Sequence, residues 1–255
     1  MFVEDLDIII PTFKSHKLAE LLIRSFEKFK PENLKIRYIV VENSSDSSYK
    51  DDILSLNSNI IWIQNEKATS VLIGGNGSDA NASGIEAGLE IVESDYVFIC
   101  HCDTFVTSKS FFNEIFQKTE EGNELIGTST DPSRIKAIHQ SGFLAKTSLA
   151  RSVSYYPVRV NGDMTHDVAD LLTEKCRNDN IAHACFRNTF NEPSLVSQYL
   201  SSPFKEFHVD RCLDSDGSVM FMHLGRGIEK QFGRYSKPNR VYFPQWVKFC
   251  EDMIG

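Results

Sequence analysis

Cysteine spacing builds no framework in this chain. Cys100, Cys102, Cys176, Cys185, Cys212 and Cys250 form no CxxC pair and no small disulfide scaffold, so a stapled secreted domain is excluded and a reducing cytoplasm fits best. Long apolar runs are absent too, and no segment approaches the roughly 20 residues that span a bilayer. Positive charge is in deficit: 27 Lys and Arg against 35 Asp and Glu leave a formal net charge of −8, which argues against broad nucleic-acid binding. The opening MFVEDLDIII carries acidic residues before a short apolar run and lacks a signal-peptide pattern. No GxGxxG or GK[ST] follows a strand, so neither the dinucleotide fingerprint nor the P-loop is present. There is no internal repeat, low-complexity linker or composition break. The 255 residues read as one continuous α/β domain with a sizeable core.

What is present is an alternation of strand and helix patterns in the first half. Leu6 to Ile10 reads as a strand, and Ser15 is placed to cap a helix through Phe29 with Leu18, Leu21, Leu22, Ser25 and Phe29 on one face. Ile36 to Val41 is a second strand, Ser48 to Leu56 a short helix and Ile60 to Gln64 a third strand. A glycine-rich loop through Gly74-Gly75-Asn76-Gly77 leads to a helix opening at Ser78 or Asp79 and running to Val92, followed by a strand from Tyr96 to Cys100. This order predicts a mostly parallel sheet covered by helices. The second half is less regular, with strands expected at Leu125 to Thr128, Gln140 to Leu144, Ile181 to Phe186 and Val219 to His223, and a helix from Thr165 to Asn178.

The strand ends of the first half are polar. The first offers Pro11-Thr12, the second Glu42-Asn43-Ser44 and the fourth His101-Cys102-Asp103. Parallel strands bring such ends to one edge, where ligands of open α/β sheets bind. On an extended backbone His101 and Asp103 point the same way. An imidazole with a carboxylate suits a divalent cation, and a cation suits phosphate.

Taken together, DIIIPTF, IRYIVVENSSD, NGSDANASGIEAGLEIVESDYVFICHCD and SGFLAK resemble the family 2 glycosyltransferases of the GT-A fold, well over about the first 145 residues and patchily beyond. The resemblance implies a Rossmann-like, mostly parallel or mixed central sheet flanked by helices. A nucleotide-sugar-binding half would span 1–104 and an acceptor-binding, catalytic half 105–255. It implies inverting transfer from a nucleotide-diphosphate sugar with Mn²⁺ or Mg²⁺, to a glycan, lipid-linked or protein acceptor. By it Pro11, Thr12, Glu42 and Ser44 line the nucleotide site, and Asn81 and Gly84 sit in the helix start beside ribose and diphosphate. His101-Cys102-Asp103 stands at the family's DxD motif, which implies that all three bind the nucleotide sugar, with His101 in place of the first carboxylate. Asp103 is then the metal ligand, and His101 contacts the ribose or a metal-bound water.

Two later segments fit the same picture. Met164-Thr165-His166-Asp167-Val168 stands where relatives carry an acidic pair, which makes Asp167 the first candidate for general base and Asp170 the second. A helix's first turn also favours Asp without any catalytic role. In Phe221-Met222-His223-Leu224-Gly225-Arg226-Gly227, His223 can complete a metal shell and Arg226 can neutralise a departing nucleotide. His183 and Cys185 lack further ligands at zinc spacing. Lys136, Lys146 and Arg151 read either as an acceptor path or as scattered surface charge. The tail YSKPNRVYFPQWVKF reads as a segment packed on its own domain or on a twin subunit, with peripheral membrane contact the other reading. The rival functions are a catalytically silent sugar- or nucleotide-binding subunit, favoured by the two histidine replacements, and a sugar nucleotidyltransferase, whose basic phosphate loop Ile10-Pro11-Thr12-Phe13-Lys14 matches poorly.

Overall fold

The computed structural model describes residues 5–68, 77–195, 209–234 and 242–255. Gly74, Gly75 and Asn76 of the glycine-rich loop lie outside them, as does 235–241 of the tail. The centre is a seven-stranded sheet of β1 (Asp5–Thr12), β2 (Lys35–Glu42), β3 (Ile60–Gln64), β4 (Tyr96–Cys100), β6 (Leu125–Gly127), β7 (Gly142–Lys146) and β10 (His183–Cys185), in the order β10-β6-β7-β4-β1-β2-β3. All neighbours run parallel except β7, which is antiparallel to both β4 and β6. A second sheet joins β5 (Thr104–Val106), β11 (Asp210–Leu213) and β12 (Val219–His223), all antiparallel. A hairpin pairs β8 (Val158–Val160) with β9 (Asp163–His166).

The central strands are continuous apolar runs because both faces are covered. Alternation divides them between two cores. Leu6, Ile8 and Ile10, Tyr38 and Val40, and Phe98 and Cys100 pack on the side of α1 (His16–Phe29), α4 (Ser110–Glu120) and α8 (Phe243–Ile254). Ile9, Ile39, Val97 and Ile99 pack on the side of α3 (Gly77–Leu89), α5 (Thr147–Ala150) and α6 (Asp170–Asn178). The short α2 (Lys50–Leu56) precedes β3, and α7 (Gly227–Gln231) follows β12.

Ser15 stands at the N-cap of α1 without capping it, because its hydroxyl donates to the Phe13 carbonyl. Ser25, buried inside the same helix, accepts the Val106 N–H and so ties β5 to the first core. The described part of the tail packs on the chain itself. Trp246 is buried, Lys17 pairs with Glu251 at 2.8 Å, and the Lys28 ammonium donates to the carbonyls of Met253 and Ile254. No helix of the described residues is long and apolar enough to cross a membrane.

α3 lies close against the sheet because small residues face it. A Cβ added at Gly84 would meet the Asn43 amide at 2.9 Å, and one added at Gly88 would meet Ile9 Cγ2 at 2.7 Å. Ile9 is fully buried, so Gly88→Ala should destabilise the protein by about 1–3 kcal/mol through overpacking. Chemical denaturation checks this, and an unchanged midpoint would mean that Ile9 yields freely.

Candidate functional site

β4 stops at Cys100, but its alternation continues for three residues. Cys102 turns into the first apolar core with Cys100, so its thiol is spent on packing and does not face a ligand, contrary to the sequence expectation. His101 and Asp103 face the other way. The partner that completes them is far off in sequence: β12 pairs with β5 so that His223 is opposite Thr104, and β11 pairs with β12 so that Asp210 is opposite His223. The Leu224 N–H donates to the Asp103 carbonyl and locks that register at 2.9 Å.

Three donor atoms converge as a result. His223 Nε2 lies 3.4 Å from Asp103 Oδ1, His101 Nδ1 lies 3.4 Å from His223 Nε2, and His101 Nδ1 lies 3.9 Å from Asp103 Oδ1. Among the described residues this is the one group of His, Cys, Asp or Glu whose ligand atoms come together in this way. The outer nitrogens are also met, His223 Nδ1 by Asp210 Oδ2 at 3.2 Å and His101 Nε2 by the Asn81 amide at 3.4 Å. Asp103 Oδ2 accepts the Gly227 N–H at 2.8 Å. Gly225 and Arg226 both take positive φ to bring that N–H inward.

The charges fit a cation. Burial opposes a charge on His223, but the Asp103 carboxylate and hydrogen bonds to Asp103 and Asp210 outweigh it and raise its pKa to about 10. Burial likewise works against ionised Asp103, yet the His223 charge and hydrogen bond, His101 and the Gly227 N–H hold it well below the usual carboxylate range. One positive charge is thus already held between two carboxylates, where a metal ion would take the proton's place. His101 is pushed down to about 4, mainly by burial. His139, absent from the sequence candidates, stands in ring contact with both His101 and His223. Burial, then the charges of His223 and His101, lower it to about 3. Its Nδ1 accepts the Ser141 N–H, so a neutral His139 carries its proton on Nε2 as a donor.

At the neighbouring strand ends, Glu42 is completely buried and its two oxygens are already occupied. Thr12 Oγ1, the backbone N–H groups of Lys14 and Ser44, and the Tyr49 hydroxyl all donate to it. Glu42 therefore organises the loops after β1 and β2 and has no lone pair to spare for a base or ribose, which revises its expected role. Thr12 is likewise buried and bonded to Glu42. Ser44 is buried, its hydroxyl accepting the Asp46 N–H. Pro11 and Gly84 meet at the α3 contact, where Gly84 leaves room for the Asn43 amide and the Pro11 ring.

Met164 to His166 belong to β9 rather than to a helix, and α6 begins at Asp170. The chain is diverted by the β8–β9 hairpin, which an Arg159–Asp79 pair ties to α3. Asp170 is buried and accepts from Arg134 Nε at 2.9 Å and from the Asp167 N–H at 2.8 Å. It is a helix-start anchor, not an open base. Asp167 is partly exposed: Oδ1 accepts the Val168 N–H at 2.8 Å, and Oδ2 lies 3.8 Å from Arg134 Nη2. One loop serves both clusters, since 128–141 carries Arg134 to Asp167 and His139 to the histidine pair. Arg226 is 72% exposed in its side chain and faces Glu229 at 3.6 Å.

The remaining sequence candidates have these contacts within the chain. Arg151 donates to the Leu89 and Val92 carbonyls beyond α3, Lys146 pairs with Glu124, the Lys136 carbonyl accepts from Arg177, and His183 Nδ1 lies 3.0 Å from the Ile181 carbonyl. A cavity of about 860 Å³ opens at the amino ends of β1, β2 and β4, around the Asp7–Arg37 pair. It lies at the opposite end of the strands from the histidine cluster and takes no part in it.

A mostly parallel seven-stranded sheet with one reversed strand and helices on both faces is the GT-A fold. Among solved structures, the mannosyltransferase PcManGT from Pyrobaculum calidifontis, in complex with GDP-Man and Mn²⁺, shares it. That chain is 11% identical and aligns with a TM-score of 0.50 over 71% of this chain and 54% of its own. S. aureus TarS 1-349 with UDP-GlcNAc (16% identity, 72% and 59% coverage, TM-score 0.49) and the glucosyl-3-phosphoglycerate synthase of Mycobacterium tuberculosis with Mn²⁺ and UDP-Glc (13%, 71% and 69%, 0.48) also align. The chain thus spans less than two thirds of the length of the mannosyltransferase and of TarS 1-349. No protein-family model and no curated protein matches it.

Proposed function

We propose that the chain is a glycosyltransferase that moves a sugar, with inversion, from a nucleotide-diphosphate donor to a hydroxyl of a glycan, lipid-linked or protein acceptor. The observation that carries this reading is the convergence of His101, Asp103 and His223 just past the carboxyl end of β4, where ligands of open α/β sheets bind. The solved mannosyltransferase of the same fold holds GDP-Man and Mn²⁺, which supports such a donor and a divalent ion such as Mn²⁺ or Mg²⁺. Asp103 and His223 would hold that ion, and when bound it supplies positive charge against the diphosphate.

The chain's own groups do the rest. The His139 N–H is a donor beside the cluster, suited to a phosphate oxygen. Arg226, on the turn that delivers Gly227, has the reach to meet the departing nucleotide. Asp167 takes the proton from the acceptor hydroxyl as that oxygen bonds to the anomeric carbon, while the bond to the diphosphate oxygen breaks and its electron pair leaves with the nucleotide. Arg134 positions Asp167 through its contacts with Asp131 and Asp170. A nucleotide-sugar-binding subunit without transfer is the second reading, favoured by Oδ1 of Asp167 being taken by its neighbour's N–H.

The test is a thermal-shift panel of nucleotides and nucleotide sugars with and without Mn²⁺, followed by donor hydrolysis. One donor family should stabilise the protein in a metal-dependent way. Asp167→Asn should keep that stabilisation but lower turnover about 10²–10⁴-fold. Full turnover in Asp167→Asn would remove it as the base. Binding without hydrolysis or transfer by the unaltered protein would establish the silent subunit instead.

A further inference from the structure

The donor set of the cluster points to a choice of metal. We propose that His101 Nδ1 is a third protein ligand beside Asp103 Oδ1 and His223 Nε2, and that its imidazole shifts the site's preference toward a late first-row ion such as Zn²⁺ or Co²⁺ relative to the carboxylate that the motif usually carries there. This deepens the proposed donor site and rests on that reading for what the ion is for.

The three atoms form a triangle with sides of 3.4, 3.4 and 3.9 Å. Its centre lies about 2.1 Å from each corner, the length of zinc–imidazole and zinc–carboxylate bonds. Each imidazole turns one nitrogen to this centre and has the other met by a polar side chain, Asp210 for His223 and Asn81 for His101. Such outer partners fix the tautomer and aim the ring at a metal. Turning the Asn81 carbonyl toward His101 Nε2–H leaves the Nδ1 lone pair free. Asp210 makes His223 Nε2 the more basic ligand in the same way. Mg²⁺ favours an oxygen shell and retains its waters, whereas imidazole nitrogens suit zinc-like ions. A histidine in the first position of the DxD segment exchanges a hard oxygen for a nitrogen at the centre of the site.

Most nitrogen and oxygen sites bind Zn²⁺ more tightly than Mn²⁺, so the test reads the effect of substitution rather than the order. The full-length, metal-free protein is titrated calorimetrically with Zn²⁺, Co²⁺, Mn²⁺ and Mg²⁺ alone, without nucleotide, alongside His101→Asp and His101→Asn. His101→Asp should lower the Zn²⁺-to-Mn²⁺ affinity ratio by at least about thirtyfold, and His101→Asn should weaken Zn²⁺ by at least about tenfold. Circular dichroism of both variants verifies folding. On the unaltered protein, NMR of the Co²⁺ form should show two hyperfine-shifted exchangeable imidazole protons, from His101 and His223. A ratio that moves less than about threefold, one shifted proton, or no binding of any ion up to about 1 mM overturns the proposal. If no nucleotide binds while the ratio depends on His101, the donor reading falls and the ligand set stands. Metal-dependent nucleotide binding with an unmoved ratio gives the reverse.

Discussion

Asp103→Ala should abolish transfer and remove metal-dependent donor binding. The carboxylate is 6% exposed and each oxygen has a separate task, Oδ1 facing the two imidazoles and Oδ2 holding the Gly227 N–H. Removing it strips the only carboxylate from the converging donor set and leaves the Gly227 N–H without its acceptor. Charge stabilisation at a leaving group by a bound cation is worth several kcal/mol, so turnover should fall by about 10³-fold or more. The His223 pKa should drop from about 10 as its main charge partner disappears. The sign follows from linkage. A raised histidine pKa stabilises the fold fully below about 6.5 and loses that contribution as pH rises through the folded value. The stability advantage of the unaltered protein over Asp103→Ala should therefore shrink as pH rises through about 10, down to the part that comes from the Gly227 hydrogen bond. Nucleotide titrations with Mn²⁺ and NMR titration of His223 check both halves. Equal donor affinity in the two proteins would remove Asp103 from the metal site.

Gly227→Ala should disable the same site without touching a ligand. An added Cβ would lie 2.3 Å from Asp103 Cβ and 2.7 Å from its Oδ2, closer than real atoms approach. Asp103 cannot retreat, because its carbonyl is held by Leu224 and the next residue enters the β5–β12 ladder. Either the carboxylate rotates away from the imidazoles or the turn into α7 is displaced. Both break the 2.8 Å hydrogen bond from Gly227. The expected cost is about 1–3 kcal/mol of stability, a fall of about 2–4 °C in Tm per kcal/mol for a protein of this size, with metal affinity down at least about tenfold. Gly225→Ala is the control. Its φ is +66° and the nearest atom to an added Cβ is 4.0 Å away, so it should show left-handed strain of about 1–2 kcal/mol and little loss of metal. Matching metal affinities in Gly227→Ala and the unaltered protein would mean that the turn is not fitted to Asp103.

Some of the site could be read from the chain because its cause is local. His101 and Asp103 are two residues apart on an extended backbone, so alternation alone sends them to one side and Cys102 to the other. The same alternation sends Cys102 into the core, whereas the motif resemblance counts it with the nucleotide-sugar-binding residues. The apolar runs of β1, β2 and β4 announced strands covered on both faces, and their ends met as expected. The helix over Thr165 to Asn178 was misjudged at its start because its first residues have a competing partner, the β8 strand, which local pattern does not reveal.

What stayed hidden depends on distant segments meeting. Asp210 and His139 carry no local mark. Asp210 becomes His223's partner only through the antiparallel register of β11 with β12, and His139 reaches the cluster only because its loop is held on α6, where the Ile138 N–H donates to the Thr173 hydroxyl. Glu42 looked like a ligand because a buried strand ending in a carboxylate begs for a partner. The partners turned out to be four donors from its own loops. The sequence by itself determined the layered α/β fold, the strand whose end carries the chemistry and the HxD pair, since periodicity and turn residues are properties of neighbours along the chain. Tertiary structure alone decided which acids are free. That depends on which donors arrive from elsewhere, and burial makes an unpaired carboxylate too costly to leave empty.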